Sequence, residues 1–343
     1  MRASYWYENL ESVLDCKLSV ITNEKNAEND NIYYVNNNKT SFLSKLIHDK
    51  GVAWKKSIFY FLQGNNKIYP DLVIITGGPF MHFGLSDFFR RKYNSKIILD
   101  YRDPFSNNPI FQNSRIKKMI KSFFERKFNS KADAIITVNK YCAKLIPHFY
   151  SKKNAIIQNG YDESVELSCI NNIDKLPLKI IYAGKLYFSL DNIAHAIRNE
   201  ECVLTYMGAD YKNVNSTNSI KNKGLLSYED TLEQMQEHHV GLIQSTAYKH
   251  QSTTKVFDYI RSKLIILVVL NKETDSESSL KDELKSFPNV FWCNNNANSI
   301  SEQIQKIKQH KYIEVDNMLV EKYSRRNQMI ILKELIEKLI DEN

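Results

Sequence analysis

Two spacings of apolar and polar residues alternate along most of the chain. In the first half, KLSVIT, DLVIIT, KIILD, DAIITV and NAIIQNG are short, β-branched and apolar at consecutive positions. Strands covered on both faces read this way. Between them a helical period predicts helices over 40–63, 80–93, 114–129 and 139–150. The second half repeats the scheme, with strands predicted at LKIIYAG, CVLTYMG, VGLIQ, LIILVVL and NVFWC and helices over 228–238, 253–262 and 299–310. A last amphipathic stretch, Asp316 to Leu339, predicts one long helix. Strand–helix–strand alternation implies parallel sheets with helices on both faces.

The polar, aperiodic stretch YDESVELSCINNIDKLP, residues 161–177, separates the two series. The expected organisation is a first α/β domain over 1–165, a linker over 166–177, a second domain over 178–315, and a helix over 316–343 that crosses back to the first. A chain of 343 residues suits two such domains. The longest apolar run, Leu264 to Leu270, has the length of a strand and falls far short of a membrane span. The opening MRASYWYENLESVLD lacks the apolar core of a signal peptide. Five cysteines are scattered singly, with neither C-x-x-C nor a Cys/His spacing for zinc. Reduced thiols in a cytoplasm and no structural metal are expected.

Charge changes the picture. The net charge is +8, but residues 1–170 hold 25 Lys and Arg against 16 Asp and Glu, whereas residues 171–343 hold 22 against 23. All the excess positive charge lies in the first half, which suits an anionic partner on that side or a plain solvated basic surface. Basic and aromatic residues interleave in SDFFRRKYNSK (86–96) and in RIKKMIKSFFERKFNSK (115–131). The second stretch fits a helix lying on an anionic membrane, or a surface helix whose phenylalanines face the core. No nucleic-acid reader motif accompanies the charge.

In parallel sheets, ligands bind at the carboxyl ends of strands, and the unusual residues fall there. TGGPFMH brings a tight Gly77–Gly78–Pro79 turn and His82; DYRDPF brings Asp100, Arg102 and Asp103; AGKLY brings Gly184 and Lys185. QSTTKVFDYI crowds Ser252, Thr253, Thr254, Lys255 and Asp258 ahead of the run LIILVVL. Ser252 or Thr253 can cap a helix, and Lys255 and Asp258 share a helix face. The group is either a capped helix with an i,i+3 ion pair, or a phosphate and ribose site. G-x-x-x-x-G-K-[ST] and G-x-G-x-x-G are both absent, so neither a P-loop nor a dinucleotide site is indicated.

Taken in order, these motifs resemble the family 4 glycosyltransferases of the GT-B fold, in particular the bacterial surface-polysaccharide branch. The resemblance rests on DLVIITGGPF-x-H, KIILDYRDPF, ADAIITVN, IIQNGYD, IIYAGKL, SYEDTL-x-x-M and STTKVFDYI, and spans nearly the whole chain. It implies two Rossmann-like domains with parallel sheets facing a central cleft. It also implies a retaining transfer of sugar from a nucleotide-diphosphate donor to a polyprenyl-linked or other glycan acceptor, with no metal and no cofactor beyond the donor itself. Asp258 falls where the family grips ribose, and His250 falls where it has a glutamate touching the sugar. Lys185 matches the basic residue at the diphosphate, joined by Lys255, Gly184, Ser252, Thr253 and Thr254. Arg102 and Asp103 match the polar residues beside the reacting sugar, and His82 is expected with them on the acceptor side of the cleft. The expected place is the inner face of the cytoplasmic membrane, reached through residues 115–131, with no nucleic acid as partner. Family members start with a strand and a glycine-rich loop, and MRASYW resembles the helix after that loop, so this first strand is expected to be missing. A nucleotide-sugar epimerase and a non-catalytic sugar-nucleotide-binding homologue remain as alternatives.

Overall fold

The computed structural model describes residues 2–24, 31–36, 41–65, 67–111, 114–163, 177–198, 200–246, 248–271 and 277–341. The expected linker over 166–177 lies outside them except for Pro177. Two compact units form, Met1–Gln158 with Gln328–Asn343, and Asn159–Asn327.

The first unit runs α1 (Arg2–Leu14), β1 (Val20–Thr22), β2 (Ile32–Tyr34), α2 (Phe42–Ile47), α3 (Gly51–Gly64), β3 (Leu72–Thr76), α4 (Ser86–Tyr93), β4 (Lys96–Tyr101), α5 (Arg115–Lys131), β5 (Ala134–Thr137), α6 (Lys140–Leu145) and β6 (Lys153–Ile156). Strands β3-β4-β5-β6 make one parallel sheet, and β1 and β2 pair in a separate one. Residues Ile97 to Tyr101 of β4 are all buried, because one layer covers each face of this sheet. On one side Ile97, Leu99 and Tyr101 pack with Phe83, Phe89 and Phe128. On the other, Ile98, Ala134 and Ile136 meet Trp6 and Leu10 of α1 and a set of residues from the end of the chain.

The second unit runs β7 (Leu178–Ala183), α7 (Asp191–Ile197), β8 (Cys202–Met207), β9 (Ile220–Asn222), α8 (Tyr228–Gln236), β10 (Val240–Ser245), α9 (Lys255–Arg261), β11 (Ile265–Leu270), α10 (Ser279–Leu284), β12 (Val290–Asn294), α11 (Ala297–Lys308) and α12 (Asn317–Glu321). Its strands form one parallel sheet in the order β12-β11-β10-β7-β8-β9. The order reverses beside β7, so the loop after β7 sits at the switch point where such sheets bind ligands.

Three predicted helices break. The stretch over 139–150 stops as α6 at Leu145, where Ile146 turns extended ahead of Pro147 and His148 is left-handed (φ 63°). The stretch over 40–63 becomes α2 and α3, because His48 turns left-handed (φ 53°) and Asp49 accepts the Gly51 N–H (2.7 Å), which opens a new helix. The helix expected from Asp316 becomes α12 and α13 (Arg325–Ile340). Between them Tyr323 accepts from the Tyr161 N–H (3.0 Å) and Arg325 donates to the Tyr161 carbonyl (2.9 Å), which takes the backbone out of a helical ladder. Met329, Leu332, Leu335, Ile336 and Leu339 of α13 complete the second layer of the first unit.

Candidate functional site

Gly184 follows β7 with φ +136°, a conformation glycine adopts without strain. The loop after it, 184–188, is fastened from behind. The Tyr182 hydroxyl donates to the Lys185 carbonyl (2.5 Å), the Tyr206 hydroxyl to the Gly184 carbonyl (3.2 Å), and the Leu186 N–H to Asp210 (2.8 Å). Gln244, buried at the end of β10, accepts from the N–H groups of Tyr187 and Phe188 (2.8 and 3.3 Å) and donates to the Phe188 carbonyl (3.0 Å). Gly208 lies against this loop so closely that a Cβ there would stand 2.1 Å from the Gly184 carbonyl oxygen.

The segment ahead of α9 meets the same loop. Gly184, Lys185, Tyr187, Gln244, Thr253 and Lys255 line one hollow at the carboxyl end of β7. Two cations from stretches about seventy residues apart therefore flank one small polar recess. Asp258 lies one turn behind Lys255, with Oδ2 at 3.4 Å from its ammonium, and Oδ1 accepts from the Tyr228 hydroxyl (2.9 Å). It is only 4% exposed, and burial raises its pKa, with Lys255 opposing the shift. Lys255 thus forms its ion pair and lines the hollow at the same time.

Of the two expected helix caps, Thr253 makes its bond and Ser252 does not. Thr254 stands at the cap position of α9 and its side chain makes no cap hydrogen bond, while the Ser252 hydroxyl turns away and donates to Glu283. Thr253 Oγ1 does accept from the Lys255 N–H, at 3.4 Å. Glu283, 4% exposed on α10, also takes the Ser279 hydroxyl (2.8 Å), so two hydroxyls serve its buried carboxyl. Burial pushes its carboxyl up to about 7, against the two hydroxyl donors. His250 is buried, with its ring 6.1 Å from that of Tyr248.

In the first unit, β3 and β4 end side by side, Thr76 in register with Asp100, and Gly77 donates to the Asp100 carbonyl (2.7 Å). Asp100 is buried, Arg102 half-buried and Asp103 exposed. His82 is buried against Trp54 (ring centroids 4.8 Å), with Nε2 at 3.1 Å from the Thr76 carbonyl, and burial pushes its pKa down to about 4. Asp49 holds the neighbouring turn by accepting from the N–H groups of Gly51 and Phe80 (2.7 and 2.8 Å).

No protein-family profile matches the sequence, and no curated protein matches it. Solved structures do. The lipopolysaccharide outer core galactosyltransferase WaaB aligns with a TM-score of 0.60 at 12% identity, over 97% of this chain and 93% of that one. This chain has the GT-B fold. Arabidopsis thaliana UGT89C1, solved with UDP-L-rhamnose, shares the fold at a TM-score of 0.53 and 10% identity, over 99% and 89% of the two chains. The glycotransferase of kitacinnamycin shares it at 0.52 and 7%, over 90% and 86%. At these identities it is the GT-B fold that is held in common. Among the described residues no cluster of His, Cys, Asp and Glu has the makings of a metal site.

Gln244, Glu283, Tyr228 and Asp49 were not legible from spacing, because each acts on a partner 30 or more residues away. The one available hint was a glutamine ending the otherwise apolar run VGLIQ.

Proposed function

We propose that this chain is a glycosyltransferase of the family 4 type, retaining and metal-independent. It moves a sugar from a nucleotide-diphosphate donor to a lipid-linked or polysaccharide acceptor in cell-surface glycan synthesis, at the inner face of the cytoplasmic membrane. The observation that carries the reading is the shared hollow of Lys185, Lys255, Thr253 and Gly184 at the switch point of the second sheet. Two ammonium groups there neutralise a diphosphate and make the nucleotide a better leaving group, the largest catalytic contribution such a site offers. Asp258 receives the ribose, with Ser252, Thr254 and His250 around it, and Arg102, Asp103 and His82 are assigned to the acceptor side. Lipopolysaccharide work by WaaB and the UDP-sugar held by UGT89C1 support the substrate class.

The test is titration of the full chain with UDP-, GDP- and ADP-sugars, followed by calorimetry and thermal shift. One nucleotide class is expected to bind, and Lys185→Ala or Lys255→Ala to weaken it by at least about tenfold, the loss of one charge-assisted contact. Unchanged affinity in both variants would overturn the assignment. A second reading, a non-catalytic sugar-nucleotide-binding homologue, is favoured by the Asp258 carboxylate, whose two oxygens already face Tyr228 and Lys255. Transfer of labelled sugar by the purified chain separates the two. Free sugar released without an acceptor would point instead to an epimerase.

A further inference from the structure

Both carboxylate oxygens of Asp258 are engaged inside the protein. Oδ1 accepts from the Tyr228 hydroxyl (2.9 Å), and Oδ2 faces the Lys255 ammonium (3.4 Å). The same ammonium stands 5.5 Å from the centroid of the Tyr228 ring, so the three side chains close on one another. Burial first, and then the charge of Asp258, push the Tyr228 phenol well above its usual range. It therefore stays protonated and keeps donating to Oδ1. The Asp162 backbone N–H approaches the phenol oxygen as well, and Arg325, paired with Asp162 (2.6 Å), extends its charge to both Tyr228 and Asp258. Only 6% of the Asp258 side chain is exposed, against 25% for Lys255, and it is Lys255 that lines the hollow. One methylene joins the Asp258 carboxylate to its backbone, so it cannot reach past the lysine. With so little of the carboxylate open, a ligand in the hollow meets the remaining lone pair of Oδ2, beside Lys255, while Oδ1 stays with Tyr228.

The ribose of a nucleoside diphosphate carries two neighbouring hydroxyls. A carboxylate with two open oxygens accepts from both, and one with a single open oxygen accepts from one. The diphosphate leaves the pentose from C5′. With that diphosphate at Lys185 and Lys255, the hydroxyl closer to the lysines along the ring is the one on C3′, and Asp258 stands directly beside Lys255. We infer that this chain reads the pentose at its 3′-hydroxyl alone, with Tyr228 withholding the second oxygen of Asp258, so that donors built on 2′-deoxyribonucleoside diphosphates are taken as readily as those built on ribonucleotides. Tyr228 is then a specificity-determining residue that need not touch the donor. The inference deepens the proposed function: it rests on that reading for the diphosphate in the hollow, and adds the class of nucleotide and the residue that sets it.

The experiment is calorimetric titration of the full chain with the ribo, 2′-deoxy and 3′-deoxy forms of UDP, GDP and ADP. In the base series that binds, the 2′-deoxy form is expected to bind within about threefold of the ribo form, and the 3′-deoxy form at least about tenfold more weakly, as when one charge-assisted hydrogen bond is lost. Tyr228→Phe keeps the ring and frees Oδ1. It is expected to make the ribo form bind at least about fivefold tighter than the 2′-deoxy form, by adding a hydrogen bond to the 2′-hydroxyl. A melting curve shows whether that variant is folded, and the parent series decides the question without it. A larger loss with the 2′-deoxy form in the parent, a 3′-deoxy form as tight as the ribo form, or a folded Tyr228→Phe that still treats ribo and 2′-deoxy forms alike would each overturn the inference while leaving nucleotide binding in the hollow intact. No binding by any of these diphosphates would sink the inference and the proposed function together.

Discussion

Glu283 illustrates how a residue outside the hollow holds the segment that lines it. Its carboxylate receives Ser252 and Ser279, and the Ser279 N–H donates to the Lys249 carbonyl (2.8 Å), so α10 grips the segment 249–252 at two points. Thr253 and Lys255 follow at once. Glu283→Ala should therefore release Lys255 from the hollow and weaken nucleotide binding about tenfold, the cost of a modest misplacement. Glu283→Gln, which keeps an acceptor, should recover most of it; equal affinity in the Ala variant would show that the grip is irrelevant to binding. Titration of the same group acts on stability. Glu283 and Glu125 both have carboxyls pushed up to about 7 by burial, so the folded chain holds protons that the unfolded chain has released. Their contribution is complete below about pH 4.5 and is lost as pH rises towards 7, on the order of 3 kcal/mol each at most. His82, pushed down to about 4, acts in the opposite sense, losing stability as pH falls below 6.5. Melting temperature measured from pH 5 to 8 should fall less steeply in Glu283→Gln than in the parent.

At the scale of elements, the buried strands were legible because consecutive apolar residues admit little else, as in KIILD and LIILVVL. The three-residue strands β2 and β9, IYY and IKN, were not, since so short a segment carries no period. Two of the helix breaks escaped notice for a different reason: His48 and Ser324 are not helix breakers by type, and it is Asp49 in one case and Tyr161 in the other that redirect the backbone. The lysines of the hollow were legible as residues after strand ends, but the turning of Ser252 towards α10 was not, because its partner lies 31 positions on. The loop after β7 makes the sharpest prediction at this scale. Gly208→Ala drives a methyl group into the Gly184 carbonyl, and Gln244→Leu strands three hydrogen-bonding groups of Tyr187 and Phe188. Both should lower nucleotide affinity while β8 and β10 stay formed, as hydrogen exchange on the strand amides would reveal; a uniform loss of protection across the sheet would mean that the loop is part of the core rather than bolted to it.

At the scale of the whole molecule, each unit has its own sheet and core, and the first one is built from two separate stretches of chain. Leu332 on α13 is fully buried with Trp6, Leu10 and Ile98. Leu332→Ala should cost about 2–5 kcal/mol, as cavity-forming changes do, and hydrogen exchange should rise in β4 and β5. Unaltered exchange in those strands would show that α13 is not part of that core. The same arrangement bears on biosynthesis. When a ribosome has finished Gln158, the helix that seals one face of β4 and β5 is still unmade. At roughly 5–20 residues per second, the intervening stretch takes roughly ten to thirty seconds to emerge. Throughout that interval the nascent first unit carries bare isoleucines, so the later-encoded unit has the opportunity to finish folding before the earlier one.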